Sequence, residues 1–151
     1  MTDSVPAFVL DPRLEADSAA VGRLPLCCVR WSRDARYPWA LLVPARAEVT
    51  EIHQLSSDDR RALIDESALV ASTLARLVSA HKMNVAAIGN VVAQLHVHVV
   101  ARFREDDAWP RPIWGVHPPR AHEGDALRAR VDALRGALAR EPSSGFVPAI
   151  D

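Results

Sequence analysis

The chain has 151 residues, of which 49% are hydrophobic and 25% charged, with a formal net charge of −1 at pH 7. This length and composition predict one globular domain over residues 1–151 with its own apolar core. The charge excludes a chain-wide basic field for long nucleic acid, and no segment approaches the ~20 apolar residues that span a bilayer.

The first third of the chain predicts short strands. Residues 8–10 form an apolar run that predicts an edge strand, whereas residues 13–24 predict a loop or a short helical turn. Two further apolar runs, at 26–31 and 39–43, predict strands joined as a hairpin with a longer loop. Pro44 ends the second of them.

A long helix is predicted over residues 57–81. Ser56 is placed to cap its first free amides, and Asp58 and Asp59 suit the positive end of the helix dipole. Apolar residues then recur at helical spacing, so one face of this helix packs against the rest of the domain.

The second half predicts strands, a loop and a final helix. Residues 85–88 are apolar, Gly89 and Asn90 interrupt them, and residues 91–103 predict a long strand. Strands linked at hairpin length predict an α+β fold with an antiparallel sheet of about five strands. The domain then divides into a motif-bearing core (8–103), a C-terminal loop and helix (104–140) and a tail (141–151). Within the middle part, the Pro-rich residues 105–122 predict the loop and residues 123–140 predict the helix.

The segment with the most chemical information is Gln94-Leu95-His96-Val97-His98. Side chains alternate between the faces of a strand, so Gln94, His96 and His98 share one face. The two imidazoles stand roughly 7 Å apart along the strand, which lets both contact one phosphate group. Neutral imidazole is a nucleophile near pH 7 and can form a phosphohistidine intermediate.

Two histidines on one face also leave a metal site open as a rival interpretation. A zinc site needs a further ligand of the His, Cys or carboxylate type. His53 is a candidate in principle, but nothing in the sequence places it near His96 and His98.

The segment resembles the histidine-triad (HIT) motif, His-φ-His-φ-His-φ-φ, in which φ is apolar. The likeness covers roughly residues 8–103, including the hairpin ended by Pro44, the long helix and Gly89-Asn90 before the motif. The resemblance implies an antiparallel sheet with one long helix, a two-fold homodimer, and hydrolysis or transfer of nucleotidyl groups at the α-phosphorus. It implies that His96 is the nucleophile and that His98 hydrogen-bonds the phosphate or the leaving group, without a cofactor or metal.

The sequence departs from the motif at its first position, where it has Gln94. The resemblance implies that the backbone carbonyl of this residue orients the central imidazole, and a glutamine keeps that carbonyl. The departure puts hydrolytic efficiency and substrate class in question. A second register, with His98 central and Val100 third, stays open.

The resemblance also suggests residues that contact the substrate. Asn90 matches an amide-bearing position that contacts ribose or phosphate, and Asn84 and Arg102 are further candidates. Trp109 and Trp114 in the Pro-rich loop can cover the cleft and stack on a base, or pack at a dimer interface. Trp109 is assigned here to substrate binding.

Three functions remain as hypotheses. The first is a nucleotide hydrolase or nucleotidyl transferase, the second a non-catalytic nucleotide-binding or regulatory protein, and the third a metalloprotein ligated by His96 and His98. The expected partners are a small nucleotide and a second copy of the chain, with no nucleic acid and no membrane. Cys27 and Cys28 are adjacent and no signal peptide precedes them, so a cytoplasmic location is expected.

Overall fold

A computed structural model describes residues 6–150. In chain order, its elements are α1 (Pro12–Ala16), β1 (Ser18–Arg23), β2 (Cys27–Ser32), β3 (Trp39–Pro44), a 3₁₀ helix (Ile52–Gln54), α2 (Ser57–Val78), β4 (Lys82–Ala87), β5 (Val97–Arg102), α3 (Ala126–Ala139) and β6 (Val147–Pro148).

One antiparallel sheet organises the fold. Its six strands lie in the order β4-β5-β3-β2-β1-β6, and every pairing is antiparallel. Helices α2 and α3 contact each other and the sheet, α2 chiefly at β5 and α3 chiefly at β1. The predicted α+β class is therefore confirmed. The sheet has one strand more than expected, because residues 8–10 form none whereas β1 and β6 are additional. No described helix is both long and apolar enough to cross a membrane.

Helix α2 begins where the sequence predicts it. The Ser56 hydroxyl accepts the N–H of Asp59 at 3.1 Å and so caps the first turn. The helix ends at Val78, because Ser79 takes a left-handed conformation with φ of 54°. The predicted end at residue 81 is therefore three residues late.

The N-terminal predictions need correction. Residues 8–10 form no strand; Phe8 and Leu10 pack near Leu41 and Val43 instead, whereas Val9 is exposed. The segment predicted as a loop or a short helical turn contains α1, which is such a turn, and also the strand β1, which its pattern does not predict. The alternation in Ser18–Arg23 is too weak to predict a strand, which forms because β2 and β6 pair with its two edges. A Cβ at Gly22 would lie 2.5 Å from the Phe146 ring, so this strand needs a glycine there.

The strand predicted over residues 91–103 is shorter than expected. Strand β5 begins at Val97, and its pairing with β4 ends at the same residue, which lies opposite Ala87. Before it, the Leu95 N–H donates to the Val49 carbonyl rather than to a neighbouring strand. His96 therefore lies immediately before the strand, outside the paired part of the sheet.

Strand β5 is buried on both faces. Val97, Val99 and Ala101 point into the main core beneath α2, together with Leu42 of β3. The intervening residues lie on the opposite face, which α1 and the loop over residues 104–122 partly cover. This opposite face carries the candidate site.

Candidate active site

A cleft with a volume of about 430 Å³ lies on the sheet face opposite the two long helices. Its walls come from the end of α1, from β3, from the segment before β5 and from the loop after it. Both histidines line it, as do Trp39, Leu41 and Trp114. The structure thus brings His96 and His98 together at a concave surface.

The backbone holds His96 in one orientation. Its Nδ1 lies 2.7 Å from the carbonyl oxygen of Gln94. Because a carbonyl only accepts hydrogen bonds, Nδ1 must carry the proton in the neutral ring. The Nε2 atom, which has no partner among the described residues, then keeps its lone pair.

The indole of Trp39 holds His98 in the opposite tautomer. The indole Nε1–H donates to Nδ1 of His98 at 3.1 Å. Since an indole nitrogen can only donate, Nδ1 must be the unprotonated nitrogen and Nε2 carries the proton. Burial and, secondarily, the neighbouring His96 lower the pKa of His98 to about 4, so this ring is neutral at pH 7.

The two rings therefore present complementary atoms at close range. Their centroids are 4.8 Å apart, with an interplanar angle of 76°. His96 offers a lone pair, and His98 offers an N–H. The alternative register with His98 as the central residue lacks this arrangement, because Nδ1 of His98 faces an indole donor and not a carbonyl.

The side chain of Gln94 does not line the cleft, contrary to the prediction that it shares a face with His96 and His98. Residue 94 precedes β5, so strand alternation does not fix the direction of its side chain. Its Oε1 accepts the N–H of Asp11 at 2.9 Å, and its Nε2 donates to the carbonyl of Val9 at 2.8 Å. A carboxamide supplies this pair of bonds to an extended backbone. The amide therefore ties the N-terminal segment to the residue whose carbonyl contacts His96.

The segment before the motif forms another wall of the cleft. Asn90 lines it together with Ile88, Gly89, Val91 and Val92. Gly89 has φ of 71°, a left-handed conformation that favours glycine. Asn90 is exposed at this wall, where its side chain has no partner among the described residues, and its contact with a substrate stays a prediction.

Arg102 does not line the cleft, contrary to its predicted role as a substrate contact. It is 1% exposed. Its guanidinium donates to Asp106, to Oδ1 of Asn84 and to the backbone carbonyl of Arg111. Asn84 is likewise engaged in this buried network and is not a cleft residue.

Trp109 also lies outside the cleft, packed against Arg102 and His81. Together with Arg102 and Asn84 it anchors the loop over residues 104–122 beneath the sheet face. The tryptophan of this loop that reaches the cleft is Trp114, whose ring centroid is 5.2 Å from that of His98.

Sequence reasoning missed three polar residues of the cleft, Asp17, Ser18 and Ser32. Asp17 is exposed, and its carboxylate has no partner among the described residues. It lies between α1 and β1, in the segment predicted as a loop or a short helical turn. No motif or periodicity marks Asp17. It lies near Ser32 only because β1 pairs with β2, and this long-range pairing leaves no local pattern in the sequence.

The described residues supply no group of three His, Cys, Asp or Glu side chains that could hold a metal ion. His53 lies exposed on the 3₁₀ helix and does not line the cleft. The metalloprotein hypothesis therefore lacks the third ligand that it requires.

Comparison with known proteins agrees with this geometry. The family model described as HIT domain matches residues 13–105. A histidine triad protein from Bradyrhizobium japonicum is similar over 87% of this chain and 98% of its own, at 43% identity and a TM-score of 0.85. One from Sinorhizobium meliloti matches 87% of this chain and 97% of its own, at 40% identity and a TM-score of 0.84.

A third histidine triad protein, from Marinobacter aquaeolei, matches 89% of this chain and 98% of its own, at 36% identity and a TM-score of 0.86. No curated protein matches the chain.

Proposed function

Because this chain belongs to the HIT domain family, we propose that it is a nucleotide hydrolase or nucleotidyl transferase that acts at the α-phosphorus through His96. The observation that carries the proposal is the pair of complementary tautomers. A carbonyl leaves His96, which lines the cleft, with a free lone pair on Nε2, and the adjacent ring offers an N–H.

In the proposed reaction, Nε2 of His96 attacks the α-phosphorus and forms the N–P bond of a phosphohistidine intermediate. The bond from phosphorus to the leaving group breaks, and its electron pair goes to that group. The Gln94 carbonyl, which contacts the Nδ1–H of His96, stabilises the positive charge that develops on the ring. Water or another acceptor then attacks phosphorus and releases His96.

The size and lining of the cleft support a nucleotide as substrate. Its volume of about 430 Å³ falls within the range of small-molecule sites. Trp114 and Leu14 offer flat and apolar surface for a base, and Asn90 offers an amide for a phosphate or sugar. The carboxylate of Asp17 can accept hydrogen bonds from sugar hydroxyls.

The test of this proposal is a screen of nucleoside phosphoramidates, dinucleoside polyphosphates and nucleotidyl sugars with the wild type and His96→Ala. We expect at least a thousandfold loss of kcat/KM in His96→Ala, by analogy with loss of other covalent nucleophiles. The unfolding midpoint should change little. Acid-labile labelling of the wild type by a radioactive nucleotide should disappear in the variant. Full activity of His96→Ala would refute the proposal.

A non-catalytic nucleotide-binding role is the second candidate. The Gln94 side chain bonds the N-terminal segment and not a group in the cleft. At the cleft wall, Val91 is 81% exposed and, being apolar, offers a phosphate no hydrogen bond. Nucleotide binding measured by calorimetry, with neither turnover nor labelling of His96 across the screen, would favour this candidate.

We also propose that the chain forms a homodimer through β4. This strand is an edge of the sheet, and it exposes apolar surface at Val85 with further apolar surface nearby at Ile88. Long edge strands of this kind pair with other chains unless they are protected. Light scattering should give about twice the mass of one chain.

The two free thiols, Cys27 and Cys28, fit the reducing cytoplasm, which we propose as the location of the protein.

A further inference from the structure

Trp39 occupies an unusual position beside the candidate active site. In the sheet, Leu41 pairs with His98 and Trp39 pairs with Val100, so the indole lies on the same face as the imidazole. The ring centroids are 5.4 Å apart, and the indole N–H points at Nδ1 of His98. Trp114 packs on the same imidazole but makes no hydrogen bond to it.

We propose that Trp39 is a positioning residue that fixes the proton of His98 on Nε2 and opposes a second proton on Nδ1, and that the site therefore favours phosphoric anhydrides over phosphoramidates. The inference rests on the proposed function, because it concerns which leaving group departs when His96 attacks.

The chemistry follows from where the protons can go. In an anhydride, the P–O bond breaks and its electron pair stays on a phosphate oxygen, which is stable as an anion. That oxygen accepts a hydrogen bond from Nε2–H of His98, and no proton needs to move. In the second step, water attacks phosphorus, the N–P electron pair returns to His96, and the surplus proton leaves to solvent.

A phosphoramidate makes a different demand. The amine leaves only after it gains a proton, because an amide anion is far too basic. His98 can supply that proton only as an imidazolium, which requires a proton on Nδ1 as well. The indole N–H occupies the Nδ1 lone pair and would oppose an N–H there. The other titratable groups that line the cleft are His96 and Asp17, and neither contacts Nδ1 of His98.

The first test is the tautomer of His98, measured from the ring ¹⁵N chemical shifts of the full chain. We expect the wild type to show a protonated Nε2 and a bare Nδ1 near pH 7. Trp39→Phe keeps an aromatic ring and removes the N–H, so it should mix the tautomers. Trp114→Phe is the matched control, because the N–H that it removes bonds no described residue, and it should leave the tautomer unchanged.

A protonated Nδ1 in wild-type His98 would overturn the proposal without any enzyme assay. So would an unchanged tautomer in folded Trp39→Phe. If Trp39→Phe does not fold, the wild-type spectrum still decides the point.

The second test compares two substrates with the same nucleotidyl group, one an anhydride with phosphate and one a phosphoramidate. We expect kcat/KM of the wild type to favour the anhydride by at least about a hundredfold, the lower range of general acid catalysis. In Trp39→Phe this preference should fall by about tenfold at pH 5.5 and little at pH 8. A wild type that cleaves both substrates equally overturns the proposal. Absence of turnover on both substrates refutes the proposed function instead, whatever tautomer His98 has.

Discussion

The two faces of β5 are equally buried and chemically opposite. Val97, Val99 and Ala101 enter the core on one face, whereas His98 and Arg102 lie on the other at 7% and 1% exposure. An apolar side chain needs only a matching shape around it, but a buried polar side chain needs a partner for its polar atoms. The polar face therefore depends on residues that are distant in sequence, and its integrity can be tested partner by partner.

The largest effect should follow removal of the Arg102 partner. Asp106 accepts two hydrogen bonds from this guanidinium, and both side chains are at most 5% exposed. Asp106→Ala leaves a buried cation without its anion, so we expect the free energy of unfolding to fall by about 4 kcal/mol. Urea denaturation measures this change.

The matched control is Asp58→Ala. The Asp58 carboxylate pairs with Arg61 on the surface of α2, where its side chain is 94% exposed. An exposed pair and a carboxylate in the first turn of a helix each contribute little, so the free energy of unfolding should fall by at most about 1 kcal/mol. Equal effects of the two variants would show that the buried pair of Asp106 and Arg102 contributes no more than an exposed pair.

A smaller effect should appear as a pH dependence from His98. Its pKa in the folded state, about 4, lies below the ordinary 6.5. Between these values the unfolded state binds more protons, so stability rises with pH through this window and is level above it. From pH 7.5 to pH 5 we expect the wild type to lose about 2 kcal/mol more than His98→Asn does.

Thermal and urea unfolding at the two pH values measure this difference. His53→Asn, on the exposed 3₁₀ helix, controls for the loss of a histidine at the surface. If His98→Asn has the same pH dependence as the wild type, His98 is not held neutral in the folded protein.

The smallest effect should come from the Gln94 side chain. Gln94→Ala removes two hydrogen bonds to residues 9 and 11 and keeps the carbonyl that contacts His96. We expect a loss of stability of about 1 kcal/mol and a fall in kcat/KM of less than about tenfold. A loss of activity comparable to that of His96→Ala would mean that the side chain, and not the carbonyl, supports the nucleophile.

Local patterns in the sequence predicted much of this molecule. Ser56 and the apolar spacing after it identified α2, and alternation put His96 and His98 beside each other. These predictions succeed because helix capping and strand alternation depend on neighbouring residues alone. The family resemblance assigned His96 as the central residue, and the carbonyl contact at Gln94 is the one that it implies.

The assignments that failed concern long-range partners. Arg102 and Trp109 have the chemistry of substrate contacts, yet they pack together beneath the loop that follows β5. Asp17 carried no signal, although it lines the cleft. Some polar side chains face a ligand, and others bond to a partner inside the protein. The way in which distant segments pack together decides between the two.

The sequence by itself determined that two imidazoles share a short apolar segment, because the residues and their spacing are local facts. Only the tertiary structure decided what each imidazole offers. The carbonyl two residues before His96 leaves it a lone pair, and an indole from β3, 59 positions away, leaves His98 an N–H. A proton on a histidine ring follows the partner of the other nitrogen, and for His98 that partner is set by the register of the sheet.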